Sequence, residues 1–326
     1  MINRKFVWGA LLAAALVAPA AWAQTVLKLG WTTADSADDP YAMGARAFQQ
    51  SLAQRLGDAV TVQLYPNRQL GDEKQLLEGL RLGTVEAAVI TNAVVAQLEP
   101  ALQLNDLPFL YASPEQAHGV LDGQVGQQLA ERLDARGIVV LGYMEGGFRH
   151  MLNNRRPVTQ PQDVAGVKYR VMQNPVFIDM FNAMGGSAVP MAWGETYTAV
   201  QQGTIDGLEI PLPVVASNKY QEVTKFLSLT GHSYSTNLLL ISKRALNRLP
   251  AEQRAALRQA GKDATLMQRR QNAENTDRLL AVLQQGMQVN RLASIAPFQA
   301  AVQPIYDKYR ARFGAELIDQ ALRAAP

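Results

Sequence analysis

The 326-residue sequence contains no cysteine. That absence excludes a disulfide framework, a thiolate metal site, a cysteine nucleophile and a lipoprotein anchor together. Histidine is almost as scarce, with only His118, His150 and His232, and no two of them stand at metal-ligand spacing. His118 reads as a solvated residue of the helical segment SPEQAHGVL, and His232 as a turn residue after Gly231. Only His150, beside Arg149, has a modest claim on a site. Walker A, G-x-G-x-x-G, H-E-x-x-H, G-x-S-x-G and calcium-loop patterns are all missing. With no evident base–nucleophile pair and no metal cluster, the chain reads as a binding protein rather than an enzyme, and it calls for no cofactor and no metal; a Ser/His/Asp triad assembled in space is not excluded by spacing. An excess of one charge is missing too, since 31 Lys+Arg against 28 Asp+Glu leave a formal +3. No basic cluster accompanies it, so nucleic acid is not an expected partner.

What is present begins with a leader. Arg4 and Lys5 precede an apolar run from Phe6 to Val17, then Pro19 and Ala21-Trp22-Ala23, in the order of a secretory signal cut after Ala23. The run is too short to span a bilayer comfortably, and no other segment is as uniformly apolar. Cleavage would leave 326 − 23 = 303 residues and a charge of +3 − 2 = +1. A chain of that length exceeds the usual single core, so two lobes are expected.

Along the mature chain, strands and helices alternate, the mark of an α/β fold. Alternating hydrophobicity predicts strands at Val26–Trp31, Val60–Leu64, Val85–Ile90, Gly137–Tyr143 and Val167–Met172. Helical spacing predicts helices from Pro40 to Leu56, Asp72 to Leu82, Pro114 to Arg136 and Pro175 to Met184. An internal echo joins the two halves: LRLGTVEAAVIT (Leu80 to Thr91) and VQQGTIDGLEIP (Val200 to Pro211) share a helix end, Gly-Thr, an acid and an apolar strand. Helix-Gly-strand junctions are common enough for coincidence to account for it equally well. From Pro250 a helical run reaches Gly286, roughly 50 Å at 1.5 Å per residue, and is expected to brace both lobes. A second helical block runs from Pro297 to Leu322.

The chemistry on offer is that of binding an anion. Arg170, in the strand-like GVKYRVMQNP, stands where an apolar residue is expected, and Arg149 follows a Gly146-Gly147 turn in EGGFRHMLNN. Arginine supplies planar donors that match a carboxylate and keeps its charge. For each, three readings stay open: a solvent-facing side chain, a structural ion pair, or an anion receptor. Trp31, Trp193 and Tyr197 are candidate walls, though core packing explains a lone Trp at least as well. Met172, Met180, Met184 and Met191 read as core filler. Glu73 is either a first-turn helix acid or an acceptor facing a cleft.

The segments YPNRQLGDEKQLLEGLRLGTVEAA, GFRHMLNNRRPVTQPQDVAGVKYRVMQNP, PMAWGETYTAVQQGTIDGLEIP and LLLISKRALNRLP resemble the DctP-type solute-binding proteins of TRAP transporters, across essentially the whole mature chain. The resemblance implies a two-lobed α/β periplasmic binding protein with a cleft between lobes and a long bridging helix. The lobes would be 24–146 plus about 236–275, and about 147–235 plus 276–326. It implies a protein that closes on a small organic acid and passes it to TRAP permease membrane subunits; a monomer is expected, although in some relatives the long helix pairs subunits. The alternatives are an exported enzyme acting on an organic acid and a sensor that uses the same cleft. Residue by residue, it places Arg170 on the ligand carboxylate, Arg149 as a second cleft arginine, Trp193 as the aromatic near the ligand and Glu73 as a cleft acid. Thr32, Thr91, Asn92 and Asn237 fall in cleft-lining loops, with Tyr197 one turn beyond Trp193. One departure stands out: DGLEIP carries Ile210 where many relatives carry asparagine, which implies a ligand with an apolar edge near its carboxylate or a shifted pose.

Overall fold

The computed structural model describes residues 25–313 and 315–323. The expected leader, 1–23, lies outside the described residues. Among the described residues, nine strands form one mixed sheet: β1 (Thr25–Gly30), β2 (Val60–Tyr65), β3 (Ala87–Thr91), β4 (Ile138–Asn153), β5 (Lys168–Val171), β6 (Ser187–Pro190), β7 (Gly207–Pro211), β8 (Phe226–Ser242) and β9 (Gln288–Arg291). The helices are α1 (Pro40–Leu56), α2 (Glu73–Leu82), α3 (Asn92–Val95), α4 (Pro114–Asp122), α5 (Gln124–Ala135), α6 (Pro175–Ala183), α7 (Trp193–Gln201), α8 (Leu212–Ser217), α9 (Lys243–Asn247), α10 (Ala251–Gly286), α11 (Ala296–Phe313) and α12 (Ala315–Arg323).

The strand order β2-β1-β3-β8-β4-β7-β5-β6, with β9 also on β8, divides the sheet into two lobes. In the first lobe β1 pairs in parallel with β2 and β3. In the second, β5 pairs in parallel with β6 and β7. The long antiparallel pair β4 and β8 runs through both, from Ile138↔Ser242 to Asn153↔Phe226. The lobes are therefore halves of one sheet that share two crossing strands.

Those crossing strands depart from the sequence expectation. The strand expected to end at Tyr143 continues to Asn153, and Gly146-Gly147 is no reversal. Because β8 pairs with β4 along its whole length, the glycines form a bulge between Glu145 and Gly147, with Gly147 at φ +98°. His232 is likewise no turn residue: it lies within β8, fully buried. The helix expected over Pro114–Arg136 breaks at Gly123, whose backbone is extended between α4 and α5. An added Cβ there would stand 2.7 Å from the Gly119 carbonyl oxygen, so glycine permits the tight passage.

Local chemistry sets the elements that reach the cleft. Asp39 caps α1, accepting from the amides of Tyr41 and Ala42, with Pro40 in the first turn. Asp72 and Gln75 form a capping box that starts α2, which Gly83 ends at φ +81°. The internal echo is structural: Thr84 and Val85 both donate to Gly79 O, and Thr204 and Ile205 both donate to Ala199 O. Each junction leads into a strand antiparallel to a crossing strand, β3 on β8 and β7 on β4.

The brace is also present. Helix α10 packs Leu257, Ala260 and Ala264 into the first lobe's core with α1, and Leu283 into the second lobe's core with α7 and α8. At its middle, Gln268 bonds the Pro40 and Glu145 carbonyls, and Arg269 bonds the Tyr143 carbonyl. These partners sit beside the bulge, so the helix grips the sheet where the lobes meet.

Candidate ligand-binding site

Between the lobes lies a small cavity of about 30 Å³. Arg170 enters it from β5, between the fully buried Tyr169 and Val171, and is itself 4% exposed. A solvent-facing arginine is thus ruled out. Its Nε and Nη2 both donate to the Met191 carbonyl, at 3.0 and 2.8 Å. Its guanidinium stands 5.8 Å from the Trp193 ring centre. Among the described residues no carboxylate lies within ion-pair distance of Arg170. Burial lowers its pKa, against the pull of Tyr220, Glu209 and Glu73, so the site holds a buried cation with acids in its field but none in contact.

Arg149 differs. It reaches the same cavity from β4 but is paired with Glu209 of β7, its Nη2 donating to Oε1 at 2.8 Å and its Nη1 to Ser235 Oγ at 3.2 Å. His232 adds a contact to Glu209 Oε2 at 3.2 Å. Burial pushes the Glu209 carboxyl up, but Arg149 and His232 more than offset it and hold the group below its usual value. Of the three readings, Arg149 shows a structural ion pair. Its neighbour His150 points the other way, as successive strand residues do, and accepts from the Gly231 amide at 3.1 Å outside the cleft.

Glu73, at the first position of α2, closes the first-lobe side. It is buried and accepts from the Thr91 amide at 2.9 Å. Burial pushes its carboxyl up to about 7, Asp72 adds to the rise, and the Thr91 amide and Arg170 oppose it. Thr32 and Thr91 line the cavity, as does Asn237 of β8. Asn237 is fully buried, and among the described residues neither Nδ2 nor Oδ1 has a hydrogen-bond partner. Such a side chain is normally satisfied by something. Ile210 and Trp193 supply apolar wall.

Two expected residues lie elsewhere. Asn92 turns from the cleft to donate to Leu102 O and Asp106 Oδ1, both at 2.9 Å. Tyr197 lines an adjoining chamber at the mouth. His118, expected in solvent, is half-buried and contacts Glu145 at 2.9 Å. Trp31 is fully buried in the first lobe's core, where packing accounts for it. Sequence reading missed Tyr41, Thr33, Ser235 and Glu209. Glu209 had a visible signal, an acid inside an otherwise apolar strand, but nothing local names its partner.

A larger cavity of about 640 Å³ lies behind the crossing strands. Size does not make it the better site. Its walls are largely apolar, and its buried acid, Glu145, is already met by His118 and by Asn272 at 3.0 Å.

Residues 32–312 match the family model described as bacterial extracellular solute-binding protein, family 7. The chain belongs to this family, DctP. It is 31% identical to the C4-dicarboxylate-binding periplasmic protein DctP of Rhodobacter capsulatus, covering 100% of this chain and 99% of that one. It is 35% identical to the 2,3-diketo-L-gulonate-binding periplasmic protein YiaO of Escherichia coli, over 78% and 77% of the two chains. Among solved structures, a TRAP periplasmic solute-binding protein from Polaromonas, bound to D-erythronate, superposes with a TM-score of 0.89 at 36% identity, covering 92% and 98%. The DctP fold accounts for the two lobes and the bridging helix described above.

The lobes of this DctP chain are tied shut across the cleft. Gly194 N of the second lobe donates to Asp72 Oδ2 at 3.2 Å, and Gln97 Nε2 of the first donates to Gln173 O at 3.0 Å. Ser217 and Asn218 of the second lobe donate to Asp39 of the first.

Proposed function

We propose that this DctP-family protein captures one small organic acid in the periplasm, holds its carboxylate on Arg170 between closed lobes, and delivers it to the membrane subunits of a TRAP permease. The observation that supports this reading is the buried Arg170 guanidinium with no acidic partner. A carboxylate arriving there neutralises the charge at the moment both lobes desolvate it. Asn237 then satisfies a ligand oxygen, Glu73 closes the opposite side, and Trp193 covers the ligand. Arg149, already paired, contributes field more than a free charge. The chain acts as a monomer without chemical turnover, with lobes of 24–146 plus about 236–275 and about 147–235 plus 276–326.

Calorimetry with D-erythronate and a panel of organic acids, beside native mass spectrometry of the purified protein, tests the reading. Arg170→Ala should lose about a hundredfold or more in affinity, the worth of two charge-assisted hydrogen bonds, while the fold survives. Near-native affinity in that variant would refute the assignment.

A further inference from the structure

At the cleft mouth lies a second chamber of about 220 Å³, which shares Thr32 and Trp193 with the deeper cavity. The deep cavity, at about 30 Å³, has room for a carboxylate and little more. Anything longer must pass Trp193 into the mouth. There the walls are Asn67 and Arg68 from the first lobe, facing Tyr197, Asn218 and Tyr220 from the second.

Arg68 is exposed and springs from a turn of unusual backbone. Asn67 and Arg68 both adopt left-handed conformations, at φ +51° and +63°, which residues other than glycine rarely take. The turn is pinned by bonds from Asn67 N to Thr33 O at 3.2 Å and from Arg68 N to Trp31 O at 3.1 Å. Its guanidinium crosses to the opposite lobe and sits on Gly194, where an added Cβ would stand 1.8 Å from Nη1. Gly194 is in the first turn of α7, whose dipole repels a cation. Among the described residues Arg68 has no carboxylate within ion-pair distance. Two cations without acidic partners thus stand in neighbouring chambers that share Thr32 and Trp193, Arg170 buried in the deep one and Arg68 exposed at the mouth.

We propose that Arg68 is a specificity-determining residue that reads the end of the ligand remote from its carboxylate, favouring acids whose far end carries an oxygen acceptor. This rests on the binding of an organic acid at Arg170. Because the Arg68 seat belongs to the opposite lobe, an acceptor held there also stabilises the closed state. The acceptor relieves the repulsion between the guanidinium and the α7 N-terminus by accepting from the former.

The test uses acids matched in length and differing only at the far end: butyrate, 4-hydroxybutyrate and succinate, with the corresponding five- and six-carbon sets. Calorimetry is run on the wild type, Arg68→Ala and Gly194→Ala. The wild type should prefer the oxygen-ended member of a set by about tenfold or more, as a charge-assisted hydrogen bond implies. Arg68→Ala should bring that ratio close to one, the loss falling on the oxygen-ended acid. Gly194→Ala should do the same by filling the guanidinium's seat. A preference that survives Arg68→Ala, or an equal loss for every member of a set, overturns the proposal. If Arg170→Ala abolishes binding while the Arg68→Ala ratio is unchanged, Arg68 alone has failed. If no acid binds the wild type, the organic-acid reading falls and takes this one with it.

Discussion

Asp39 of the first lobe accepts a hydrogen bond from the Asn218 side-chain amide of the second at 3.1 Å. Ser217 Oγ reaches the same carboxylate oxygen at 2.9 Å, and Asn218 Oδ1 accepts from the Ala34 amide at 3.0 Å. The other oxygen of Asp39 caps α1 and accepts from Thr33. One carboxylate therefore starts a helix and ties the lobes. Opening the cleft breaks the second role and spares the first.

Asn218→Ala should accordingly shift the protein toward open lobes without unfolding α1. Losing hydrogen bonds to a charged group costs about 1.5–3 kcal/mol, so ligand affinity should fall roughly tenfold or more. Small-angle scattering of the ligand-free variant should show a larger radius of gyration than the wild type. Unchanged affinity together with an unchanged radius would show the tie to be incidental to closure.

Glu73 makes the protein sensitive to pH in a defined direction. Burial raises its carboxyl from 4.5 to about 7, so the native state holds the proton more tightly than the unfolded chain. The associated stability is fully present below about 4.5 and is lost as pH rises through about 7, on the order of 3 kcal/mol at most. Asp106, raised to about 7 chiefly by burial, titrates over the same window, so Glu73→Gln should remove part of the dependence, not all. Binding follows the same sign, because ionised Glu73 repels an incoming anion. Affinity should fall about tenfold from roughly pH 6 to 8, and Glu73→Gln should flatten that slope in calorimetry. A slope that persists in the variant assigns the proton elsewhere.

Ile210 lines the cavity at 2% exposure and packs with Leu212 and Val214. Ile210→Asn introduces an amide into that wall and should lower ligand-free stability by about 1–3 kcal/mol. In exchange it offers a donor to ligand oxygens, so affinity for D-erythronate should rise relative to acids branched with methyl groups beside the carboxylate. Competition titrations read the ratio directly; if every acid shifts by the same factor, position 210 does not select among ligands.

The Arg149–Glu209 pair is buried on both sides, and its partners are held by adjacent antiparallel strands. Glu209→Ala strands the Arg149 cation and should destabilise the fold by roughly 3–5 kcal/mol, seen as a lower urea midpoint. Adding an organic acid should recover part of the loss, since the ligand then meets two free guanidinium groups. A variant as stable as the wild type would show that water already compensates Arg149.

The sequence by itself determined the features that depend on neighbours a few residues away. Asp39-Pro40 and Asp72-x-x-Gln75 start their helices, Gly83 and Gly203 punctuate the two echoed junctions, and the run from Ala251 to Gly286 forms one helix. Arg170 was visible because a charge interrupts an apolar strand. Only the tertiary structure decided what these charges meet. Arg149 and Glu209 are 60 residues apart, and Asp39 and Asn218 are 179 apart. No local pattern encodes such pairings. Strand β8 escaped the sequence reading because FLSLTGHSYSTNLLLIS mixes Ser, Thr and Asn with apolar residues: it serves a core at its ends and the cleft, through Ser235 and Asn237, near its middle. Asn92, one residue beyond the cleft-lining Thr91, turns instead to Asp106. In each case the contacts of a side chain follow from which strands the whole sheet brings side by side, and that depends on the complete chain.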